Sequence, residues 1–272
     1  LGTEPTGPPT QVTAANITHN AIPLSWQPPV ACERNGIITK YKVSWTYRDP
    51  KYPESEGRAG SGFNISESES YTIPAMPYKD YNISVAAITI NGTGPAFNLT
   101  TLQTLEWDAG QVDSKDVTLV TSDPYSMKVT WLEPFEPQGV ITNYTVSIRN
   151  EAGGPCEVYN SLKCVDDKTV IVGREVAVTD WQPEFSWEFT GLQPYQDFIV
   201  TVTATTAVGD GKASDPKTAR TAVVIPYEPT DVNLVSGSAT QLTVKWTQPE
   251  HFPGPTDYTV YVKDKVEDAQ SK

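Results

Sequence analysis

Three short stretches of the chain share one alternation of apolar and polar positions: Leu24-Ser25-Trp26, Val129-Thr130-Trp131 and Val244-Lys245-Trp246, with a proline three residues after each tryptophan at Pro29, Pro134 and Pro249. A period of two puts the apolar residue and the indole on one face of a strand, and the proline, which has no N–H to donate, ends the ladder. Past Gly36, Gly139 or Gly254 a second alternating run follows, Tyr41-x-Val43-x-Trp45, Tyr144-x-Val146-x-Ile148 or Tyr258-x-Val260-x-Val262. The tryptophans recur at intervals of 105 and 115 residues, the length of one small β-sandwich. An all-β chain made of repeated units is therefore predicted.

The rear halves of the first two units also match. Pro77-Tyr78-Lys79-Asp80-Tyr81, followed by Val85, Ala87 and Gly92-Thr93-Gly94, aligns with Pro194-Tyr195-Gln196-Asp197-Phe198, followed by Val202, Ala204 and Gly209-Asp210-Gly211. Trp in the second strand, Tyr in the third, then Leu-x-Pro-x-x-x-Tyr with a downstream Ala and Gly-x-Gly, resembles the fibronectin type III module. That resemblance implies seven-stranded, immunoglobulin-like sandwiches and a corner tyrosine at Tyr81 whose hydroxyl bonds back to the chain. Phe198 in the second unit keeps the ring and loses the bond. The expected organisation is a module over 1–106, a module with an insert over 107–223, and the front half of a third over 224–272, with the natural protein continuing beyond. Neither joint, 103–112 or 221–229, is a Gly/Ser-rich spacer, so the modules are expected to stack as a bent rod with limited swing. Trp107 lies in the first joint, where burial between modules and exposure are both open.

Composition narrows the partners. The 272 residues carry 33 acidic against 20 basic side chains, a net charge of −13, and no local basic run, which disfavours nucleic acid and heparin. With 38% hydrophobic and 19% charged residues the chain has enough apolar material for packed cores. The longest apolar run near a joint, 222–225, falls far short of the ~20 residues of a membrane span, so no span is expected within the fragment. The start at Leu1 has neither the basic flank nor the apolar stretch of a secretory signal and reads as a mature or trimmed end.

Six Asn-x-Ser/Thr sequons, at Asn16, Asn64, Asn82, Asn91, Asn98 and Asn143, predict an extracellular chain bearing N-linked glycans. Strand phase turns Asn82 outward and sets Asn143 outside Tyr144. Cys156 and Cys164 bracket a short loop and are expected to be bridged, with a stabilisation of about 2–3 kcal/mol. Tyr159, Leu162 and Lys163 in that loop are candidate ligand contacts, since a pre-ordered loop loses less entropy on binding. Cys32 is left to pair outside the fragment, to remain a free buried thiol, or to pair with one of the other two.

Chemistry is otherwise sparse. His19 and His251 stand in unrelated contexts and read as solvated loop residues, the cysteines have no metal-ligand spacing, and the acidic stretches 108–116 and 166–167 lack the spacing of a calcium loop. No catalytic constellation, cofactor or metal is expected. The last turn of each module carries no Arg-Gly-Asp for an integrin, and Ser186-Trp187-Glu188-Phe189 reads as a buried strand rather than the Trp-Ser-x-Trp-Ser of cytokine receptors. The expected function is the non-catalytic ligand-binding or adhesion segment of a single-pass cell-surface receptor, with a protein ligand or co-receptor as partner. Receptor-type tyrosine phosphatases, whose ectodomains are similarly glycan-rich, acidic and free of Arg-Gly-Asp, resemble it as a parent class. The alternative is a secreted matrix or scaffolding glycoprotein.

Overall fold

Alternation becomes strand in the first two units and at Leu242–Thr247, whereas the alternating run Tyr258-x-Val260-x-Val262 forms no strand, because among the described residues it has no neighbour to pair with. The computed structural model describes residues 2–150, 172–177, 184–238, 240–249 and 254–263. The first unit contains β1 (Thr10–Ala14), β2 (Ala21–Gln27), β3 (Lys40–Arg48), β4 (Gly60–Ser66), β5 (Ser70–Pro74), β6 (Asp80–Thr89) and β7 (Gly92–Gln103). They form two antiparallel sheets, β1-β2-β5 and β4-β3-β6-β7. The second unit repeats the plan with β8 (Thr118–Val120), β9 (Ser126–Trp131), β10 (Asn143–Asn150), β11 (Val172–Ala177), β12 (Phe185–Thr190), β13 (Asp197–Thr205) and β14 (Lys217–Arg220), in sheets β12-β9-β8 and β11-β10-β13-β14. Each is a seven-stranded sandwich of the predicted class. β15 (Thr230–Gly237) and β16 (Leu242–Thr247) form a two-stranded sheet.

Each sandwich buries its inward residues in one cluster. In the first, Ile22, Leu24 and Trp26 of one sheet meet Tyr41, Val43 and Val85 of the other. In the second, Val129 and Trp131 meet Tyr144, Val146 and Val202. The repeated Trp and Tyr touch edge to face in both, with ring centroids 5.4 Å apart and planes at 65° and 67°, an arrangement that sets the positive ring edge of one against the negative face of the other. Trp246 and Tyr258 repeat the 5.4 Å spacing at 50°. Trp246 nevertheless departs from the core position expected of it and is only half-buried. Among the described residues no second layer covers β15–β16, so Leu234 and Leu242 also stay exposed.

The corner bond is present where the sequence allows it: the Met76 N–H donates to Tyr81 Oη at 2.9 Å, while Phe198 occupies the equivalent place as a buried ring. A second device closes the same corner in both modules. The buried Thr104 hydroxyl donates to the Met76 carbonyl at 2.7 Å and accepts the Lys79 N–H at 2.9 Å. Thr221 does the same with the Gln193 carbonyl at 2.6 Å and the Gln196 N–H at 3.0 Å. Between the anchored groups Tyr78 and Tyr195 adopt left-handed backbone, φ 50° and 52°, which costs each about 1 kcal/mol and needs such bonds to hold it.

Candidate functional site: the joint and the sequon-bearing surface

The sequons fall where a glycan can be carried. Asn16, in the β1–β2 turn, and Asn91, in the β6–β7 turn, are exposed, as are Asn64 on β4, Asn82 on β6 and Asn98 on β7. Asn143, the first residue of β10, is half-buried beside the fully buried Tyr144. Asn82 Oδ1 accepts the Thr101 N–H at 3.1 Å, inside a β-bulge where β7 shifts register against β6. Cys32 sits in a short turn, Ala31–Glu33, as a free and exposed thiol, which removes the buried-thiol alternative. Cys156, Cys164, Tyr159, Leu162, Lys163 and His251 lie outside the described residues.

A cluster that sequence reasoning did not single out lies at the first joint. There the loop after β3 meets the loop after β9. Lys79, whose side chain is 2% exposed, places Nζ 3.0 Å from Asp49 Oδ2 in its own module and 2.7 Å from Glu136 Oε2 in the next. Asp49 is equally buried and also accepts the N–H groups of Lys51 and Tyr52 at 2.9 and 3.0 Å. Burial alone would raise the Asp49 carboxyl; the Lys79 hydrogen bond and the two amides outweigh it and hold it below the ordinary carboxylate value. Glu133 accepts from Lys51 Nζ at 2.8 Å and from Tyr52 Oη at 2.6 Å, again across the joint. Burial and the bond to Glu133 push the Tyr52 hydroxyl up. Between these pairs the Arg58 guanidinium lies 4.5 Å from the Tyr52 ring and 4.8 Å from Phe135, a cation held between aromatic faces of two modules.

The connecting backbone is equally constrained. The Leu105 carbonyl accepts the Tyr78 N–H, and two residues on the Trp107 N–H donates to the Gln138 carbonyl, so Glu106 alone separates the bonds to one module from those to the other. Thr206 Oγ1 also donates to the Trp107 carbonyl at 2.7 Å. The Trp107 indole, 42% exposed, stacks on His19 with centroids 3.8 Å apart and planes at 16°. Of the two places open to Trp107 the structure takes the exposed one, and His19, read as a solvated loop histidine, is instead half-buried against that indole at the joint. Lys79 and Asp49 are 30 residues apart, and Glu136 comes from the next module. No periodicity links them; the one local signal is the charged Lys79 where the second module has Gln196.

Among the described residues no group of three or more His, Cys, Asp or Glu side chains gathers as a metal site, and no helix is long and apolar enough to cross a membrane. What the arrangement can do is present two sandwiches at a fixed mutual angle. The Fibronectin type III domain family model matches residues 7–102 and 112–220. The chain is 29% identical over 258 residues to human receptor-type tyrosine-protein phosphatase F, covering 92% of this chain and 13% of that protein. It is 27% identical over 267 residues to human cell adhesion molecule DSCAM, covering 94% and 12%. It thus spans about an eighth of the length of these relatives. Among solved structures, the chicken CNTN1 FN1-FN3 domains superpose with a TM-score of 0.56 at 20% identity, over 90% of this chain and 77% of that one, a likeness of fold.

Proposed function

The chain belongs to the fibronectin type III family, and from that premise we propose that it is an extracellular, non-catalytic ligand-binding or adhesion segment of a cell-surface receptor. A receptor-type tyrosine phosphatase is the proposed parent. The observation that carries this reading is the similarity along more than nine-tenths of the chain both to a receptor phosphatase and to a cell adhesion molecule, proteins whose names share a place at the cell surface and not a chemistry. The six sequons, five of them exposed, support an outside location with N-linked glycans at Asn16, Asn64, Asn82, Asn91, Asn98 and Asn143. A protein ligand fits better than nucleic acid or heparin, given the net charge of −13. The loop of Tyr159, Leu162 and Lys163, closed by a Cys156–Cys164 bridge, is the proposed contact, with Cys32 free to pair outside the fragment.

The test is to secrete the chain as a bivalent fusion, stain panels of cells, and identify the captured surface protein by cross-linking. Staining that survives heparan sulfate digestion and is lost on surface proteolysis is expected. Staining that depends on heparan sulfate alone would overturn the protein-ligand reading. Replacing both loop cysteines by serine is expected to weaken staining about tenfold, through the ordering entropy that the loop must then lose on binding.

A further inference from the structure

The outward face of the first module's larger sheet is unlike that of the second. Pairing registers place Phe63 of β4 opposite Ser44 of β3, Ser44 opposite Ser84 of β6, and Ser84 opposite Asn98 of β7. These four residues make one row across four strands, about 14 Å from end to end at the usual strand spacing. Phe63 stands at one edge, 66% exposed, with Lys42 Nζ 5.3 Å from its ring. Asn98, exposed, stands at the other, and only two serine side chains lie between. The neighbouring row is also of short side chains, with Ser61 opposite Thr46 and Thr46 opposite Asn82. The result is a groove of about 820 Å³ whose lining includes Phe63, Ser44, Ser84, Asn98 and Thr100. At the equivalent places the second module carries Ser147 opposite Thr201 and Arg149 opposite Ile199, a floor raised by larger side chains, and no sequon among its last strands.

We infer that this groove seats the chain's own N-linked glycan, attached at Asn98, with the first sugar rings laid across Ser84 and Ser44 and ending against Phe63. The inference rests on the extracellular reading above. The occupant follows from the groove itself: two sequons line it, Asn98-Leu99-Thr100 as one wall and Asn82-Ile83-Ser84 along the floor, so a glycan linked to Asn Nδ2 is tethered in the groove at high effective concentration. The chemistry agrees along the row. Serine hydroxyls can donate to and accept from sugar hydroxyls, the Lys42 ammonium can donate to them, and the C–H face of a pyranose packs on the exposed part of the Phe63 ring. Asn82 lines the groove too but is the poorer anchor, since its row runs through Thr46 to Ser61 and not to Phe63, and its oxygen is turned to the Thr101 N–H.

The chain secreted from glycosylating cells provides the test, through a cycle of Thr100→Ala, which removes the glycan and keeps Asn98, and Phe63→Ser. Glycopeptide mass spectrometry should find Asn98 occupied. Thr100→Ala should then lower the melting temperature by about 3 °C when Phe63 is present, and by much less when it is serine. The same pair made in unglycosylated protein gives the side-chain contribution to subtract. Nuclear Overhauser contacts should join the Phe63 ring to the first sugars. An occupied Asn98 with equal melting shifts in both backgrounds would overturn the seat alone, as would dimerisation of the glycosylated protein through Phe63. A bare Asn98 beside other occupied sequons also removes the seat while leaving the extracellular reading intact; six bare sequons would remove both.

Discussion

Lys79 shows how one side chain can tie two sandwiches together. Its ammonium is out of water and lies between a carboxylate of each module, so replacing it by methionine keeps the stem's packing and strands Asp49 and Glu136 facing each other. Removing one partner of a buried pair leaves the other charge without compensation, and Lys79→Met is expected to cost about 3 kcal/mol in urea unfolding. Arg58, 3.7 Å from Asp49, and the Lys51 and Tyr52 amides keep the loss from being larger. The pH dependence follows from the depressed Asp49 carboxyl. Because the folded form holds its proton less tightly than the unfolded one, the Asp49 contribution is fully present above the ordinary value of 3.8 and is lost as the pH falls through the lower, folded value. An acid titration of stability should show this loss in the native chain and much less of it in Asp49→Asn. A native chain with the same acid profile as the variant would remove Asp49 from the account.

Strands were legible in the sequence because their cause is local: an apolar-polar alternation such as Leu24-Ser25-Trp26 fixes which face is buried before any partner strand is known. The corner at Tyr81 was legible for a similar reason, since one aromatic residue at one offset carries it. Thr104 and Thr221 were not, although they close the same corner in both modules. A threonine just past the end of a strand, in a chain rich in threonine, carries no signal of its own, and only the bonds to the Met76 and Gln193 carbonyls set these two apart. Valine has the same shape without the hydroxyl, so Thr104→Val leaves the part-buried Met76 carbonyl and the buried Lys79 N–H each short of a partner. The expected cost is about 2 kcal/mol for Thr104→Val, and the same for Thr221→Val, whereas serine at either position should recover most of it. Chemical unfolding of the four variants checks this. A loss for serine with none for valine would mean that the methyl group, and not the hydroxyl, holds the left-handed turn at Tyr78 and Tyr195.

The joint was the least legible feature because its parts come from both modules: His19 and Trp107, Arg58 and Phe135, Lys51 and Glu133 meet only after both sandwiches have formed. The absence of a Gly/Ser-rich spacer indicated restricted swing, but not what restricts it. The contacts across the joint assign most of the restriction to two acidic residues in one loop, Glu133 and Glu136, which lie outside both buried cores. Changing both to glutamine keeps size and removes the charges that Lys51, Tyr52 and Lys79 meet across the joint. Neither core is touched, so each module should stay folded while the coupling between them falls by about 2 kcal/mol. Two readouts follow from that separation. Heat unfolding of the native chain should show module transitions close together, and the double variant should spread them, with the first module, which keeps Lys79 buried against Asp49 alone, melting earlier. Residual dipolar couplings should require one alignment tensor for both modules in the native chain and two in the variant. A variant that still fits one tensor would transfer the rigidity to the His19–Trp107 stack and the Arg58–Phe135 contact, and Trp107→Ala would then be the change that frees the modules.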